Sequence, residues 1–269
     1  MTSPTTTPRI TARDLHVAYA DRTVVNNVNV DFPAGHITTI IGPNGCGKST
    51  LLRSLARLIP IQSGHVLMNG QDMSSYSRKE LAQHLSMLPQ SPIAPEGLLV
   101  SDLVSRGRHP HQSWIRQWSS TDQHEVHQAL DMTRSLELAD RRLDALSGGQ
   151  RQRVWISMVL AQCTETLLLD EPTTYLDLAT SIEILQLIRT LRKELNRTVV
   201  MVLHDLNLAA RYSDRIVVMN SGTILEHGSP SEVIRADLLE EAFGLKAVVI
   251  DDPVTGGPLV VPKEHEQGY

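Results

Sequence analysis

The sequence predicts an α/β protein with a mostly parallel sheet, an antiparallel β subdomain at the N-terminus and an inserted helical subdomain. Apolar and polar residues alternate over "ITARDLHVAY" and "VVNNVNVDF", which is typical of half-buried antiparallel strands. Short apolar runs alternate with helical segments after residue 165, which favours a parallel sheet covered on both faces. Between these regions, from about residue 91 to residue 160, strand patterns stop and the apolar spacing becomes helical.

The remaining elements follow in order along the chain. The first ten residues are polar and contain proline, which is typical of a frayed terminus. Further strands are expected at "HITTII", "SGHVLM", "TLLLD", "TVVMVLHD" and "RIVVMNSGTILEHG". Helices are expected over "KSTLLRSLARL", residues 179–196 and residues 206–212. We therefore expect one domain over residues 10–250, with the helical subdomain inserted at about 91–160 and a short C-terminal tail at 251–269.

Composition excludes several classes of protein. The 269 residues are 41% hydrophobic, which is ordinary for a globular protein with a substantial core. No run approaches the roughly eighteen apolar residues of a membrane helix, and the N-terminus lacks a secretory signal pattern. The two cysteines form neither a disulfide framework nor a metal-binding spacing, which indicates a reducing, cytosolic setting. A net charge of −5 argues against a nucleic-acid partner, because phosphate backbones usually meet basic surfaces.

The stretch "GPNGCGKST" carries the clearest chemistry. It matches G-x-x-x-x-G-K-[ST] and lies between a predicted strand and a predicted helix, as a phosphate-binding loop does. Glycines let backbone N–H groups turn inward around a polyphosphate, and the helix that follows presents its positive N-terminal end. Lys48 would place a cation on the β- and γ-phosphates, and the Ser49 hydroxyl would ligate Mg²⁺. The residues predicted to bind ATP are Gly42, Pro43, Asn44, Gly45, Cys46, Gly47, Lys48, Ser49 and Thr50.

Two acids and a histidine end the strands that follow. Asp170 and Glu171 end "TLLLDE", where an aspartate can reach the Mg²⁺ shell and a glutamate can polarise the attacking water. Without a phosphate-binding loop the same pair would be explained as two solvated acids at a strand end. His204 closes the next strand, and ligands bind at the carboxyl ends of parallel strands. A γ-phosphate contact by His204 is therefore predicted, although a lone histidine is more often structural.

The ordered motifs resemble those of the ATP-binding subunits of ABC (ATP-binding cassette) transporters. The resemblance spans about residues 10–250 and comprises "GPNGCGKST", Gln90 in "MLPQSP", "LSGGQ", "TLLLDE", "TTYLD" and His204. It implies a P-loop NTPase core of the ABC ATPase type, in which Lys48, Glu171 and His204 are catalytic and Gln90 joins the Mg²⁺ shell. Tyr19 lies where such proteins have an aromatic residue that stacks on adenine, the alternative being a strand aromatic packed in the core.

The stretch "LSGGQ" lies at the start of a predicted helix, "QRQRVWISMVLAQ". Ser147, Gly148 and Gly149 then offer N–H groups and a helix N-terminus, an arrangement that favours anions. Since another loop already serves the phosphates, this second anion site is free. The family resemblance implies that it clamps the ATP of a second copy of the chain, so that a head-to-tail dimer holds two nucleotides. The residues expected to act in trans are Ser147, Gly148, Gly149, Gln150 and Asp177.

Three details resemble the ATPases of ferric-siderophore importers, whose relatives also serve haem and vitamin B12. They are Tyr175 in "LDEPTTYLD", the segment "VSRGRHPH" and the tail "DDPVTGGPLVVP". The resemblance implies iron(III)-siderophore uptake, with haem or vitamin B12 as alternative cargo. It also implies integral-membrane permease partners, indirect contact with a substrate-binding lipoprotein, and a peripheral position on the cytoplasmic face of the cell membrane.

Other classes and sites fit the sequence less well. Soluble ABC ATPases usually insert long coiled coils, zinc-binding cysteines or a second cassette, and a P-loop kinase would not explain "LSGGQ". The pair His109 and His111 lacks a third zinc ligand, and the segment from His124 to His127 lacks the H-E-x-x-H spacing. Cys46 occupies a position where relatives often have a small residue, and we expect a thiol reagent to modify it and block ATP binding.

Overall fold

The computed structural model describes residues 8–20, 22–112 and 118–264. The strands are β1 (Pro8–Tyr19), β2 (Arg22–Pro33), β3 (Ile37–Ile41), β4 (Ser63–Met68), β5 (Gln71–Asp72), β6 (Leu85–Leu88), β7 (Thr166–Asp170), β8 (Thr198–Val202), β9 (Arg215–Asn220), β10 (Thr223–Gly228), β11 (Ala247–Asp251) and β12 (Pro258–Pro262). The α-helices are α1 (Lys48–Leu55), α2 (Arg78–His84), α3 (Val100–Ser105), α4 (Ser120–Met132), α5 (Gly148–Ala161), α6 (Leu178–Leu195), α7 (Leu206–Tyr212), α8 (Pro230–Val233) and α9 (Ala236–Phe243).

A six-stranded sheet with the order β10-β9-β3-β8-β7-β6 forms the centre of the protein. All its neighbouring strands are parallel except the β9–β10 hairpin. Strands β3, β7 and β8 are buried along their whole length, as expected of apolar strands in a parallel sheet that is covered on both faces. Because these strands are parallel, their carboxyl ends lie at one edge, where Asp170 pairs with Val202.

A second, antiparallel sheet has the order β2-β1-β4-β5. Its apolar side packs with helix α1 and one face of the central sheet into a shared core that includes Leu15, Phe32 and Leu51. Each of these side chains is fully buried. Val24 of β2 lies against Gly47, the residue directly before α1.

Helices α3, α4 and α5 pack together in the segment where the sequence predicted helices. The segment "RGRHPH" forms a 3₁₀ helix, and its Arg108 is buried rather than solvated. The Arg108 guanidinium bonds Asp122 at 2.9 Å and donates to the Ala161 carbonyl at 2.7 Å, which joins α4 to the end of α5. Buried ion pairs of this kind are stable only when hydrogen bonds satisfy both charges.

Strand β6 was not predicted from the sequence. It is four residues long and pairs in parallel with β7 at the sheet edge, with Leu85 opposite Thr166. A run this short gives little periodicity, and its pairing partner lies about eighty residues further along the chain. Its position places Gln90 just beyond the edge where the other carboxyl ends meet.

The described part of the expected C-terminal tail, residues 251–264, is folded. Strand β11 pairs with β12, so this part of the tail supplies one strand of a hairpin, and residues 265–269 lie outside the described residues. The amide of Asn207 on α7 bonds the Val260 N–H at 2.7 Å and the Val260 carbonyl at 3.2 Å. Within the residues that the structure describes, no helix has the length and apolar character to cross a membrane.

Asp252 fixes this hairpin to α7, and its charge gives a prediction. The Val254 N–H and the Arg211 guanidinium hold the pKa of Asp252 at about 2, below the ordinary 3.8. A lowered pKa in the folded state means stabilisation that is complete above about pH 4 and is lost as pH falls towards 2. We expect Asp252→Asn to lower the urea midpoint at pH 7, with a smaller difference from wild type at pH 3. The exposed neighbour variant Asp251→Asn is the control, and an equal difference at both pH values would contradict the assignment.

Candidate functional site

The glycine-rich loop joins β3 to α1 and leaves no room for side chains at two points. A Cβ atom at Gly42 would lie 2.2 Å from the Met219 carbonyl oxygen, and one at Gly47 would lie 2.7 Å from the Val24 oxygen. Gly47 also has a φ of 105°, which L side chains rarely adopt. The buried Lys48 ammonium donates to the carbonyls of Gly42 at 2.8 Å and Pro43 at 2.9 Å, so the loop wraps around a positive charge.

A cavity of about 450 Å³ opens beside this loop. Its lining residues are Tyr19, Arg22, Val24, Asn44, Gly45, Gly47, Lys48, Ser49, Thr50, Glu171 and His204. Tyr19 is 48% exposed, so it is not packed in the core. Arg22 and Val24 were missed from the sequence. The structure places them there through the pairing of β1 with β2, in which Arg22 lies opposite Tyr19.

Ser49 and Asp170 meet at the base of the cavity. The Ser49 hydroxyl donates to Asp170 Oδ1 at 2.7 Å, and the Arg53 guanidinium lies 3.6 Å from Oδ2. Asp170 Oδ2 is buried and accepts no hydrogen bond from the described residues. Burial raises the pKa of Asp170, and the neighbouring Glu171 carboxylate also raises it. The Oδ2 atom of this carboxylate therefore lacks a hydrogen-bond donor, and the Arg53 guanidinium lies beyond hydrogen-bonding distance of it.

These oxygen donors fit Mg²⁺, which binds through one or two carboxylates, hydroxyl oxygens and substrate phosphates. The Ser49 hydroxyl bonds one oxygen of the Asp170 carboxylate, Oδ1, and the other oxygen, Oδ2, accepts no hydrogen bond from the described residues. Gln90 is the other predicted ligand. Its side-chain amide donates a hydrogen bond to the carboxylate of Glu171, the residue after Asp170. The described residues hold no cluster of three His, Cys, Asp or Glu side chains that could bind a metal without a nucleotide.

Three side chains from separate segments contact the Glu171 carboxylate. His204 Nε2 lies 2.6 Å from Oε1, while Gln90 Nε2 and Thr174 Oγ donate to Oε2 at 2.6 and 2.9 Å. Glu171 is 8% exposed and has a φ of 54°, a left-handed conformation that is uncommon for a glutamate. Strain of this kind at a polar cavity is typical of functional sites. Thr174 was not predicted, because no motif chemistry distinguishes it from neighbouring Thr173.

The "LSGGQ" stretch forms the beginning of α5. Ser147 is the N-cap: its hydroxyl accepts the Gln150 N–H at 3.3 Å, and the Gln150 side chain accepts the Ser147 N–H at 3.1 Å. Asp177 caps α6 in the same way through the Thr180 N–H at 2.8 Å. The two helix N-termini line a separate cavity of about 260 Å³, which also includes Gly148 and Gly149.

The predicted site residues thus form two groups. Tyr19, the glycine-rich loop, Gln90, Asp170, Glu171 and His204 surround one cavity or bond to its walls. Ser147 to Gln150 and Asp177 line the other cavity, which shares no lining residue with the first. One chain therefore does not bring its own "LSGGQ" stretch to its own phosphate-binding loop.

The expectation that a thiol reagent modifies Cys46 is wrong for the folded chain. Cys46 is 5% exposed and belongs to the core beneath the loop. Burial raises the pKa of its thiol, and the thiolate is the reactive form. The motif spacing located the Cys46 backbone in the loop but carried no information on the direction of the side chain.

Comparison with known proteins gives matches over nearly the whole chain. Residues 25–174 match the family model described as "ABC transporter". The chain is similar to the achromobactin transport ATP-binding protein CbrD of Dickeya dadantii, with 48% identity over 96% of each protein. It is also similar to the ferric enterobactin transport ATP-binding protein FepC of Escherichia coli, with 46% identity over 94% of each protein.

The fold has a solved counterpart. It is similar to an inward-facing conformation of a transporter described as of the metal-chelate ABC type, with a TM-score of 0.83 and 28% sequence identity. The alignment covers 96% of this chain and 98% of that chain. The predicted fold class is confirmed, including the mostly parallel sheet, the N-terminal antiparallel sheet and the inserted helices.

Proposed function

The chain belongs to the ABC transporter family, and from that premise we propose that it is the ATP-hydrolysing subunit of an importer for an iron(III)-siderophore complex. The observation that carries the enzymatic part is the Glu171 carboxylate, which lines the cavity beside Lys48 and bonds His204 at 2.6 Å. The cargo rests on relatives such as CbrD and FepC, whose names refer to achromobactin and ferric enterobactin transport.

In this proposal ATP enters the cavity with its base on Tyr19 and its phosphates on the glycine-rich loop. Lys48 then exchanges its two carbonyl partners for the β- and γ-phosphate oxygens. Glu171 holds the attacking water in line and accepts its proton, while His204 stabilises the charge on the γ-phosphate. Positioning and charge supply most of the catalysis in phosphoryl transfer.

Mg²⁺ is the proposed companion of the nucleotide, and it would neutralise charge on the β- and γ-phosphate oxygens. Ser49 and Asp170 would hold it, with Gln90 at the edge of the same site. The orphaned, buried oxygen of Asp170 supports this assignment, because an unpaired buried carboxylate is costly. Asp170 and Glu171 then differ in role: one holds the cation and the other acts on water.

The working unit in this proposal is a head-to-tail dimer of two copies. The separation of the two cavities within one chain supports it, since the "LSGGQ" cavity is free to meet the partner's nucleotide. Residues Ser147 to Gln150 would close on the γ-phosphate from the other side, with Asp177 at the seam. We further propose that the dimer binds integral-membrane permease subunits at the cytoplasmic face of the membrane, and that these accept cargo from a substrate-binding lipoprotein.

Glu171→Gln tests the proposed base. The variant keeps the size of the side chain but removes its capacity to accept a proton, so we expect turnover to fall by about 100-fold or more while ATP binding persists. The ATP-bound dimer should then accumulate, as measured by size-exclusion chromatography with ATP and Mg²⁺. Glu194→Gln, an exposed glutamate of α6, is the matched control. Wild-type turnover in Glu171→Gln would refute the assignment.

Ser147→Arg tests the proposed contact in trans. An arginine side chain at this exposed N-cap would fill the cavity that receives the partner's nucleotide. We expect the affinity of the monomer for a fluorescent ATP analogue to be unchanged, and ATP-dependent dimerisation and hydrolysis to be lost. Ser120→Arg, at the exposed first residue of α4, controls for a bulky charge at a helix start. Normal hydrolysis by Ser147→Arg would contradict the dimer.

Uptake measurements test the cargo. In a strain that lacks the gene, we expect loss of uptake of one radiolabelled ferric siderophore, restored by the wild-type gene and not by the Glu171→Gln gene. Haem and cobalamin uptake are measured in parallel. Loss confined to haem or cobalamin would overturn the siderophore assignment and leave the ATPase assignment intact.

A further inference from the structure

Helix α5 is fastened at both ends to the segments that hold Glu171. At its N-terminal end, the Gln152 side-chain amide donates to the carbonyl of Pro172 at 2.7 Å, and Pro172 follows Glu171 directly. At its C-terminal end, the Gln162 amide donates to the Leu85 carbonyl at 3.1 Å, where β6 begins. Strand β6 leads to Gln90, whose amide bonds the Glu171 carboxylate.

The beginning of α5 also packs tightly on the segment that follows Pro172. A Cβ atom at Gly149 would lie 2.7 Å from the methyl group of Thr180, and the Thr180 hydroxyl donates to Asp177 at 3.1 Å. One turn further along α5, Arg153 pairs with Glu183 at 3.2 Å. The first turns of α5 and residues 172–183 therefore pack as one unit. At Gly149 there is no space for a side chain between them.

The middle of helix α5 is closely packed and can move as a rigid body. Val154, Trp155, Ile156 and Ser157 are buried in sequence around the whole helix, and the Ser157 hydroxyl bonds Thr133 at 2.6 Å. Closely packed interiors transmit displacement instead of absorbing it. A shift at Ser147 would therefore reach residues 172–183 through the first turns of α5, where the Gln152 bond contacts Pro172, the residue next to Glu171.

We propose that Gln152 is a positioning residue that transmits engagement of the partner's nucleotide at Ser147 to Glu171 of the same chain. The inference rests on the proposed function, in which Ser147 binds in trans and Glu171 acts in cis. Gln152 lines neither of the two cavities. It sets the backbone of Pro172, and hence the direction of the strained Glu171 side chain, when α5 is drawn towards the partner. Each chain would then hydrolyse its own ATP only after it has engaged its partner's ATP.

The test separates transmission from simple support of the helix. Gln152→Met keeps the length of the side chain and removes the donor, so we expect turnover to fall by about 10- to 100-fold, as for small misplacements of a catalytic group. Binding of a fluorescent ATP analogue to the monomer should be unchanged. Combined with Glu171→Gln, the Gln152→Met variant should still form the ATP-bound dimer, because closure itself does not need the Pro172 bond.

Two further variants sharpen the result. Gln152→Lys restores a donor of similar reach and should recover most of the turnover. Gln128→Met, at an exposed glutamine of α4, should behave as wild type. Near-ultraviolet circular dichroism of each variant verifies that the chain is folded.

Two outcomes would overturn the inference, and a third would overturn the proposed function on which it rests. Wild-type turnover in Gln152→Met would overturn it directly. Loss of the ATP-bound dimer in the Gln152→Met and Glu171→Gln combination would also overturn it, because Gln152 would then only shape the "LSGGQ" loop. Failure of the Glu171→Gln parent to form an ATP-bound dimer would instead remove the proposed function, and this outcome is visible without any change at Gln152.

Discussion

The site depends on one buried carboxylate. Glu171 is almost removed from solvent, and burial of an ionised carboxylate is costly unless hydrogen bonds satisfy it. Gln90, Thr174 and His204 supply those bonds, and each lies on a different segment. The need to satisfy one side chain therefore fixes the loop after β6, the turn before α6 and the end of β8 relative to one another. Glu171 adopts a left-handed backbone conformation where its side chain contacts all three of these residues.

The neighbouring carboxylate, Asp170, supports the proposal that the site binds a cation. Asp170 and Glu171 are adjacent and both buried, so their charges repel in a medium where repulsion is strong. Lys48 is engaged with loop carbonyls, and Arg53 reaches Asp170 only at 3.6 Å. Asp170 Oδ2 therefore has no hydrogen-bond partner among the described residues. In the proposed function, a divalent cation between Asp170 and the phosphates would balance its charge.

The sequence predicts best what local chemistry determines. The position of the glycine-rich loop between β3 and α1 was predicted correctly. The close backbone approaches at Gly42 and Gly47 permit only glycine, and this requirement is visible in the sequence as a glycine motif. Gln152 and Thr174 were missed because their partners are a carbonyl and a carboxylate that only the folded chain brings near. The Cys46 expectation failed for a related reason: spacing determines the path of the backbone, whereas burial of the side chain depends on the core beneath it.

The two glycines of "LSGGQ" form the first two positions of α5, directly after the N-cap Ser147. The first turn of a helix has N–H groups without partners inside the helix, and side chains usually satisfy them. Ser147 and Gln150 satisfy each other, whereas no hydrogen bond from the Gly148 or Gly149 N–H is present among the described residues. With no side chains above them, these two amides face a cavity at the positive end of the helix. At the N-terminus of the neighbouring α6, the negative charge is already supplied by the Asp177 carboxylate, which accepts the Thr180 N–H. Helix α5 has no such carboxylate at its N-cap, so its N-terminus is the one suited to bind a phosphate group. Its own phosphate-binding loop lines a different cavity, so in the proposed dimer that phosphate comes from another chain.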